Sequence, residues 1–260
     1  LPAPSGGLSL DAKAAVNNLL LGGGVDITTM NLVRQQLSDL KGGGFLRQAA
    51  PYQVTSLILS DVIGDDLAAI ASAQNAPDCI LLPKAESAEQ IIAVARVLDD
   101  AGSDAKIAAL IESALGVAES VSIARAHSRL SFLMFGAADY AADLGQQVGR
   151  FRPDYARNSV VNAAAAGGVF AVDSPFFAID DPDALTADCD HGRALGFQAK
   201  AAIHPSQLGP INAAYSPTEE ERTQARRIVD AAPDGVGVLD GKMVDIAMVR
   251  WARRILALEI

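Results

Sequence analysis

After residue 77, apolar runs alternate along the chain with segments of helical pattern. Five of these runs are nearly continuous and predict buried strands at 79–84, 106–112, 130–136, 169–173 and 199–204. Strands that are apolar on both faces and separated by helices are typical of a parallel sheet covered on both sides. The pattern therefore predicts an α/β fold for this part of the chain.

Six helices are predicted between and after these strands. They cover residues 87–98, 117–126, 154–166, 181–195, 218–232 and 244–258. The clearest start is at Thr218, because Glu221 stands three residues later and completes a capping box. Between Asp139 and residue 154 the pattern indicates a long connection.

The first 76 residues follow a different pattern. Helical segments at 10–21 and 28–40 end in glycine-rich stretches, and residues 54–59 form a short apolar run rich in strand-forming residues. A loop at 60–66 and a helical segment at 67–73 follow. This part is therefore predicted as helix, helix and strand, without the regular alternation seen later.

Chemically active side chains stand where the predicted strands end. They are Lys84, Glu112, Asp139, Asp173 and His204. The carboxyl ends of parallel strands carry the chemistry in such folds. Glu112 and Asp139 follow consecutive strands, and neighbouring strands lie about 4.8 Å apart, so the two carboxylates can share one Mg²⁺ ion. The alternative is that these acids cap the next helix or face solvent.

Composition and charge narrow the classes of function. The chain has 260 residues, of which 50% are hydrophobic, and a net charge of −10. This balance excludes global disorder and argues against a general binder of nucleic acid or anionic membranes. Cys79 and Cys189 are too few for a disulfide framework, and we expect reduced thiols in a cytoplasmic protein. The sequence shows no apolar run of about 20 residues and no signal-peptide pattern, so no membrane association is expected.

Several ordered motifs in residues 75–260 resemble the citrate lyase beta-subunit-like proteins of the HpcH/HpaI aldolase family. The matching segments are LLPKAESAEQI (81–91), ALIESALGV (109–117), LMFGAADYAADLG (133–145), AVDSPF (171–176), GFQAKAAIHPSQL (196–208) and DGKMVDIAM (240–248). The resemblance implies a TIM-type (β/α)₈ barrel and carbon–carbon bond cleavage in 3-hydroxyacyl thioesters such as citryl-, malyl- or citramalyl-CoA. It also implies a homo-oligomer, a trimer or a hexamer.

The resemblance carries roles to individual acids. Glu112 and Asp139 match the Mg²⁺ ligands, and Asp245 matches the catalytic acid that a neighbouring subunit supplies over the active site. Asp143 is expected to be structural, as a cap of the turn that follows it. The segment Asp173–Pro175 is expected to be a turn and pocket wall, with a direct catalytic role as the alternative.

Cofactor contacts are expected around the last predicted strand. The resemblance makes His204, Pro205 and Gln207 candidates for binding the CoA thioester, although a structural hydrogen bond is the favoured role of the His204 ring. Lys84 is a further candidate, because its ammonium group can meet an anionic group of the substrate. The alternative, equally supported, is that Lys84 pairs with Glu86.

Residues 1–72 resemble a different family, the glycerate 2-kinases of the MOFRL type. The matching segments are residues 1–43 and VTSLILSDVIGDDLAAIAS (54–72), in which Lys41 and Asp61 match that family's active-site lysine and strand-end acid. The match covers a small internal piece of such a kinase, and kinase activity is not expected. We therefore predict a chimera of a kinase-like part, 1–72, and an aldolase-like part, 73–260, joined near residues 65–72.

Together these observations predict an incomplete barrel that keeps strands four to eight and carries a foreign helix–helix–strand segment at the amino terminus. The predicted function is a Mg²⁺-dependent lyase that cleaves a 3-hydroxyacyl thioester to an acetyl thioester and a 2-oxo acid, with impaired activity. Small-molecule acyl-CoA or 2-oxo acid substrates are expected as its partners. The alternatives are an inactive fragment derived from a glycerate kinase and a non-catalytic truncated barrel.

Overall fold

A computed structural model of the protein describes residues 57–59, 77–147 and 150–258, together with the single residue 15. The chain divides into two compact units. The first comprises Leu1–Pro83 and Glu89–Ala108, and the second comprises Lys84–Ala88 and Ala109–Ile260. The predicted helices at 10–21, 28–40 and 67–73, the loop at 60–66, and Lys41 and Asp61 lie outside the described residues.

The first unit contains two strands, most of one helix and the beginning of a third strand. Strands β1 (Leu57–Leu59) and β2 (Cys79–Leu82) are parallel, with Ile58 opposite Ile80. All four residues of β2 are buried, as a continuous apolar run predicts. Helix α1 (Ala88–Asp100) follows and buries a stripe formed by Ile91, Val94, Ala95 and Leu98. The chain then enters β3 (Lys106–Ile111), which continues into the second unit.

In the second unit, the end of β3 is followed in the sheet by β4 (Leu130–Phe135), β5 (Phe170–Asp173) and β6 (Ala199–Lys200). The β4–β5 and β5–β6 pairs are parallel, with Leu133 opposite Ala171 and Asp173 opposite Lys200. Leu133 and Phe135 are fully buried in the core of this unit. The register brings the ends of β5 and β6 side by side.

Helices follow the strands of the second unit, as predicted, but their number is larger. They are α2 (Ala114–Ala118), α3 (Ser120–Ala124), α4 (Ala137–Asp143), α5 (Asp154–Gly167), α6 (Pro182–Leu195), α7 (Leu208–Tyr215), α8 (Glu219–Ala231) and α9 (Ile246–Leu256). The predicted capping box at the start of α8 is confirmed, because the Thr218 hydroxyl accepts from the Glu221 amide and the Glu221 carboxylate accepts from the Thr218 amide.

Three details of the predicted pattern are wrong. The predicted helix 117–126 is two short helices, α2 and α3, which meet at Glu119. The connection after β4 begins with α4, which buries Tyr140 and Ala141. The predicted strand 199–204 ends at Lys200, because His204 caps a 3₁₀ turn that starts at Pro205 and leads into α7.

The carboxyl-terminal part packs α8 and α9 around a small apolar core with a hairpin, β7 (Gly237–Leu239) and β8 (Lys242–Val244). The core is formed by Ala225, Ile228, Ala232, Val244, Val249 and Ala252. The hairpin turns at Asp240 and Gly241, whose φ angles are 51° and 73°. Two central residues with positive φ are typical of the tight type I′ turn, for which Asp-Gly is a favoured sequence.

The α/β fold with a parallel sheet is confirmed. In the part of the chain that the structure describes, six strands belong to the β/α series, fewer than the eight of a complete TIM barrel. Both cysteines are free and buried. None of the helices within the described ranges is long and apolar enough to cross a membrane.

Candidate active site

Glu112 stands directly after β3, where the strand ends. Its side chain is buried, with 7% of the residue exposed, and its Oε1 accepts a hydrogen bond of 2.9 Å from the backbone amide of Lys84. The next residue, Ser113, caps α2 by accepting from the Gly116 amide at 3.0 Å. The carboxylate is therefore held between the strand end and a helix start.

Lys84 reaches Glu112 through its main chain. Its φ angle is 47°, in the left-handed region that residues other than glycine rarely adopt. The following amide, of Ala85, donates to the Leu110 carbonyl at 3.1 Å. Glu86, the predicted alternative partner of the Lys84 ammonium, accepts a hydrogen bond of 2.6 Å from the Ser113 hydroxyl. The Lys84 side chain is exposed, and its predicted role stays a prediction.

Gly136 lies close to Glu112 and directly precedes the helix that carries Asp139. Its amide donates to the Ile111 carbonyl at 2.9 Å, and a Cβ placed on it would lie 3.0 Å from Oε2 of Glu112. Asp139 follows three residues later, exposed in the first turn of α4. The fold therefore brings the end of β4 to the end of β3, and Asp139 stands in the helix that follows.

Asp143 has a structural role, but not the one predicted. Its Oδ2 accepts a hydrogen bond of 2.7 Å from the Ala114 amide at the start of α2. The acid thus caps a helix 29 residues earlier in the chain instead of the turn that follows it. Sequence spacing does not reveal this partner, because it lies on another helix.

The three candidates around the 3₁₀ turn serve the structure of their own loop. His204 Nδ1 lies 3.2 Å from the Ser206 amide and caps the turn, which is the role favoured for it. Gln207 is 1% exposed, and its side chain accepts from the Ile203 amide and donates to the Phe176 carbonyl. Pro205 is exposed. Binding of a CoA thioester by these residues stays a prediction.

Asp245 is the N-cap of α9. Its Oδ1 accepts from the amides of Ala247 and Met248 at 3.0 and 3.1 Å. The residue is only partly buried, so one carboxylate can both cap the helix and face another group. Its role as a catalytic acid stays a prediction.

Asp173 lies in a buried cluster of charges that sequence reasoning missed. The residue is fully buried at the end of β5, where Oδ2 accepts from Arg157 Nη2 at 2.5 Å and from Lys200 Nζ at 2.9 Å. Lys200 Nζ also lies 2.5 Å from Oδ2 of Asp188. Burial raises the pKa of the neighbouring Tyr215 hydroxyl. Asp173 is therefore an ion-paired core residue and not the predicted turn element.

A signal for this cluster was present in the sequence. Asp173 and Lys200 are charged residues inside otherwise apolar strand segments, and burial of such residues requires a partner of opposite charge. Arg157 supplies the second cation from α5.

Comparison with known proteins shows where the chain belongs. Residues 58–205 match the HpcH/HpaI aldolase/citrate lyase family. The chain belongs to this family. Residues 155–259 also match the carbon–carbon bond lyases of the TIM-barrel fold. Residues 1–112 match a domain of unknown function, DUF4147, so the predicted resemblance to a glycerate kinase is not confirmed.

Curated relatives are similar over most of the chain. A (3S)-malyl-CoA thioesterase from Cereibacter sphaeroides is 38% identical over 204 residues, which cover 74% of this chain and 68% of that protein. The citrate lyase subunit beta of Escherichia coli is 32% identical over 209 residues, with the same two coverages of 74% and 68%. These relatives support a CoA-related lyase family.

Solved structures of the family give the same result. RipC from Yersinia pestis is 38% identical with a TM-score of 0.58, over 60% of this chain and 72% of that chain. CitE from Mycobacterium tuberculosis, in complex with magnesium, acetoacetate and coenzyme A, is 27% identical with a TM-score of 0.62, over 98% of this chain and 86% of that chain.

The acids of this HpcH/HpaI chain fit a cation that needs few protein ligands. Among the residues that the structure describes, no group of three or more His, Cys, Asp or Glu side chains is arranged to hold a metal. Glu112 and Asp139 would supply two carboxylates to such a cation. Mg²⁺ is commonly bound by one or two carboxylates, with waters and substrate oxygens completing its six positions.

Proposed function

We propose that the protein is a Mg²⁺-dependent carbon–carbon lyase that cleaves a 3-hydroxyacyl-CoA thioester into acetyl-CoA and a 2-oxo acid. The observation that carries the proposal is the buried Glu112 carboxylate, held at the end of β3 by the Lys84 amide and beside the segment of Asp139. The names of its relatives, a malyl-CoA thioesterase and citrate lyase beta subunits, support the substrate class.

The proposed reaction balances without a redox partner. The substrate hydroxyl on C3 loses its proton, the C2–C3 bond breaks, and the carbonyl of the 2-oxo acid forms. The electron pair of the broken bond remains on the thioester as an enolate, and C2 then takes up a proton. A bound Mg²⁺ ion would offset the negative charge on the substrate oxygens.

The chain's own acids divide the work in this proposal. Glu112 and Asp139 hold the metal, and their oxygens are the hard ligands that Mg²⁺ prefers. Asp245 carries the proton to or from the acetyl carbon, since a carboxyl group is a suitable general acid or base. We propose that it does so across the interface of a homo-oligomer, from the neighbouring subunit.

Thioester binding is proposed for the exposed positions near these strand ends. The exposed side chain of Lys84 is suited to an anionic part of the substrate, and His204 and Pro205 present an exposed loop. Gln207 would act indirectly, because its buried amide group holds the loop in shape.

The metal assignment is tested by thermal unfolding with and without Mg²⁺. A ligand at about 100 times its dissociation constant stabilises a preformed site by roughly 2.7 kcal/mol. We expect this stabilisation in the parent protein and its loss in Glu112→Gln and Asp139→Asn. Equal stabilisation of all three proteins would contradict the assignment.

The reaction is tested with malyl-, citramalyl- and citryl-CoA as substrates. We expect Mg²⁺-dependent release of a 2-oxo acid, trapped as its hydrazone, in equal amount to acetyl-CoA. A thiol reagent run in parallel separates this cleavage from simple hydrolysis of the thioester. Release of free CoA without a 2-oxo acid would show that the lyase proposal is wrong.

We also propose that the chain has a two-part origin, with residues 1–72 derived from a family other than that of residues 73–260. Two different family matches support this, one over residues 1–112 and the other over residues 58–205, with an overlap at 58–112. Sequencing the source locus across codons 60–80 tests it, and one uninterrupted native gene would contradict a junction of two unrelated reading frames.

A further inference from the structure

We propose that Lys84 is a positioning residue that acts on the metal site through its backbone amide and not through its ammonium group. The proposal rests on the proposed function, because it assigns the orientation of the metal-binding Glu112 carboxylate to the left-handed conformation of one residue. In this arrangement the Lys84 amide donates a hydrogen bond to Oε1 of Glu112, and Oε2 lies on the side of Gly136.

The left-handed φ angle of Lys84 sets how its own amide and the next amide are directed relative to each other, so that both reach the end of β3. The φ angle of Lys84 is 47°, whereas the next amide, of Ala85, donates to the carbonyl of Leu110. Two successive amides thus reach the end of the same strand, one to its backbone and the other to the side chain that follows it. A residue without a glycine's freedom adopts this conformation only at a cost, and such strained residues are concentrated at functional sites.

Contacts on the other sides of Glu112 leave its carboxylate little freedom. A Cβ placed on Gly136 would lie 2.6 Å from Cβ and 3.0 Å from Oε2 of Glu112, so the space on this side is closed to a side chain. The next residue, Ser113, is fixed by two hydrogen bonds, one donated to Glu86 at 2.6 Å and one accepted from Gly116 at 3.0 Å. The Lys84 amide is therefore a contact that helps to fix the rotation of an already confined carboxylate. Partners of this kind orient metal ligands and raise their affinity.

The side chain and the backbone of Lys84 make separable contributions. The side chain is exposed, whereas the hydrogen bond to Glu112 uses only the main chain. Substitutions can therefore change the charge at position 84 while keeping the left-handed backbone, or keep the backbone amide while disfavouring its conformation. If the ammonium group acts on the metal site, the first kind of change lowers the metal affinity. If the backbone amide acts on it, the second kind lowers the metal affinity.

The test is Mg²⁺ titration of Lys84→Gly, Lys84→Ala, Lys84→Arg and Lys84→Val by calorimetry. We expect Lys84→Gly to bind at least as tightly as the parent, because glycine favours positive φ. Lys84→Ala and Lys84→Arg should stay within about twofold of the parent, and Lys84→Val, whose branched side chain opposes positive φ, should lose about fivefold or more.

Asp240→Val is the matched control, because Asp240 is the other described non-glycine residue with positive φ, at 51°, and lies in the β7–β8 hairpin. It should lower the melting temperature without changing Mg²⁺ affinity. Affinity that falls in Lys84→Gly and Lys84→Ala but is kept in Lys84→Arg would overturn the proposal in favour of the ammonium group. Unchanged affinity in Lys84→Val would also overturn it.

A second measurement separates this proposal from the proposed function. Without metal, the NMR signal of the Lys84 amide proton should move upfield in Glu112→Gln, because a neutral acceptor replaces the carboxylate. An unmoved signal would overturn the positioning role even if Mg²⁺ binds. Conversely, absence of Mg²⁺ binding by the parent would overturn the proposed function, whatever the amide signal shows.

Discussion

Gly136 and Glu112 approach each other so closely that no side chain fits between them. A Cβ placed on Gly136 would lie 2.6 Å from Cβ of Glu112 and 3.0 Å from its Oε2. Real Cβ atoms essentially never approach another carbon to the first of these distances. The carboxylate at the end of β3 therefore depends on a glycine at the end of β4 for its position.

Gly136→Ala is expected to displace the Glu112 side chain and to weaken Mg²⁺ binding by about tenfold or more, the scale seen when partners of metal ligands are changed. Gly209→Ala is the matched control, because a Cβ there meets nothing within 4 Å. Calorimetric titration with Mg²⁺ checks both. Parent-like affinity in Gly136→Ala would show that Glu112 does not set the metal site.

Two substitutions at Asp245 separate its capping role from the proposed acid role. Asparagine caps helices about as well as aspartate, whereas alanine costs about 1 kcal/mol. Asp245→Asn should therefore keep the unfolding free energy of the parent, and Asp245→Ala should lose about that amount. Both variants should lose turnover with unchanged Mg²⁺ affinity. Full turnover in Asp245→Asn, measured as 2-oxo acid release, would refute the acid role.

The buried charge cluster of Asp173 leaves no space at Gly192. A Cβ there would lie 2.7 Å from the Tyr215 hydroxyl and 2.8 Å from Oδ2 of Asp173. Overpacking of this kind typically costs about 1–3 kcal/mol. Gly192→Ala should lower the free energy of unfolding in urea by that amount. A stability equal to that of the parent would contradict this prediction, because it would show that the cluster rearranges to accept the added methyl group.

Glu221 makes part of the stability dependent on pH. Hydrogen bonding to Arg193 holds the pKa of this carboxyl below its ordinary value. A lowered folded pKa adds stability above the unfolded pKa, about 4.3 for glutamate, and loses it as the pH falls through the folded value.

Glu221→Gln should thus lower the unfolding free energy at pH 7 by about 0.5–1 kcal/mol, since the pair is partly exposed. The difference from the parent should shrink at pH 3, because this pH lies below the unfolded pKa and the stability from the Arg193 pair decreases as the pH falls towards and through the folded pKa. Urea denaturation at both pH values checks this. A difference that grows on acidification would contradict the assignment of the Arg193 pair.

The strands were predicted well because a strand that is buried on both faces is a nearly continuous run of apolar residues, and such runs are visible in the sequence. Residues 79–84 and 106–112 contain β2 and β3 with ends shifted by one or two residues. The short helices were predicted less well. The seven-residue α4 and eight-residue α7 are too short for a clear periodic pattern, and packing stabilises them more than propensity does. The Asp240–Gly241 pair, in contrast, was a usable hairpin signal that the prediction did not use.

The sequence by itself determined which chemical groups stand at the strand ends. Glu112 and Asp139 follow apolar runs that predict strands, and consecutive strands of a β/α series are commonly neighbours. Their identity as acids, and hence the class of metal they suit, needs no coordinates.

Only the tertiary structure decided how those groups are held. The Lys84 amide bonds to Glu112 across 28 residues, and Asp143 bonds to Ala114 across 29. Asp173 likewise finds Arg157 and Lys200 on two other elements. Such partners depend on the φ angle of a single residue and on the packing of a helix against a strand. Neither leaves a periodic trace in the sequence, because hydrophobic spacing records which face is buried and not which atom lies opposite.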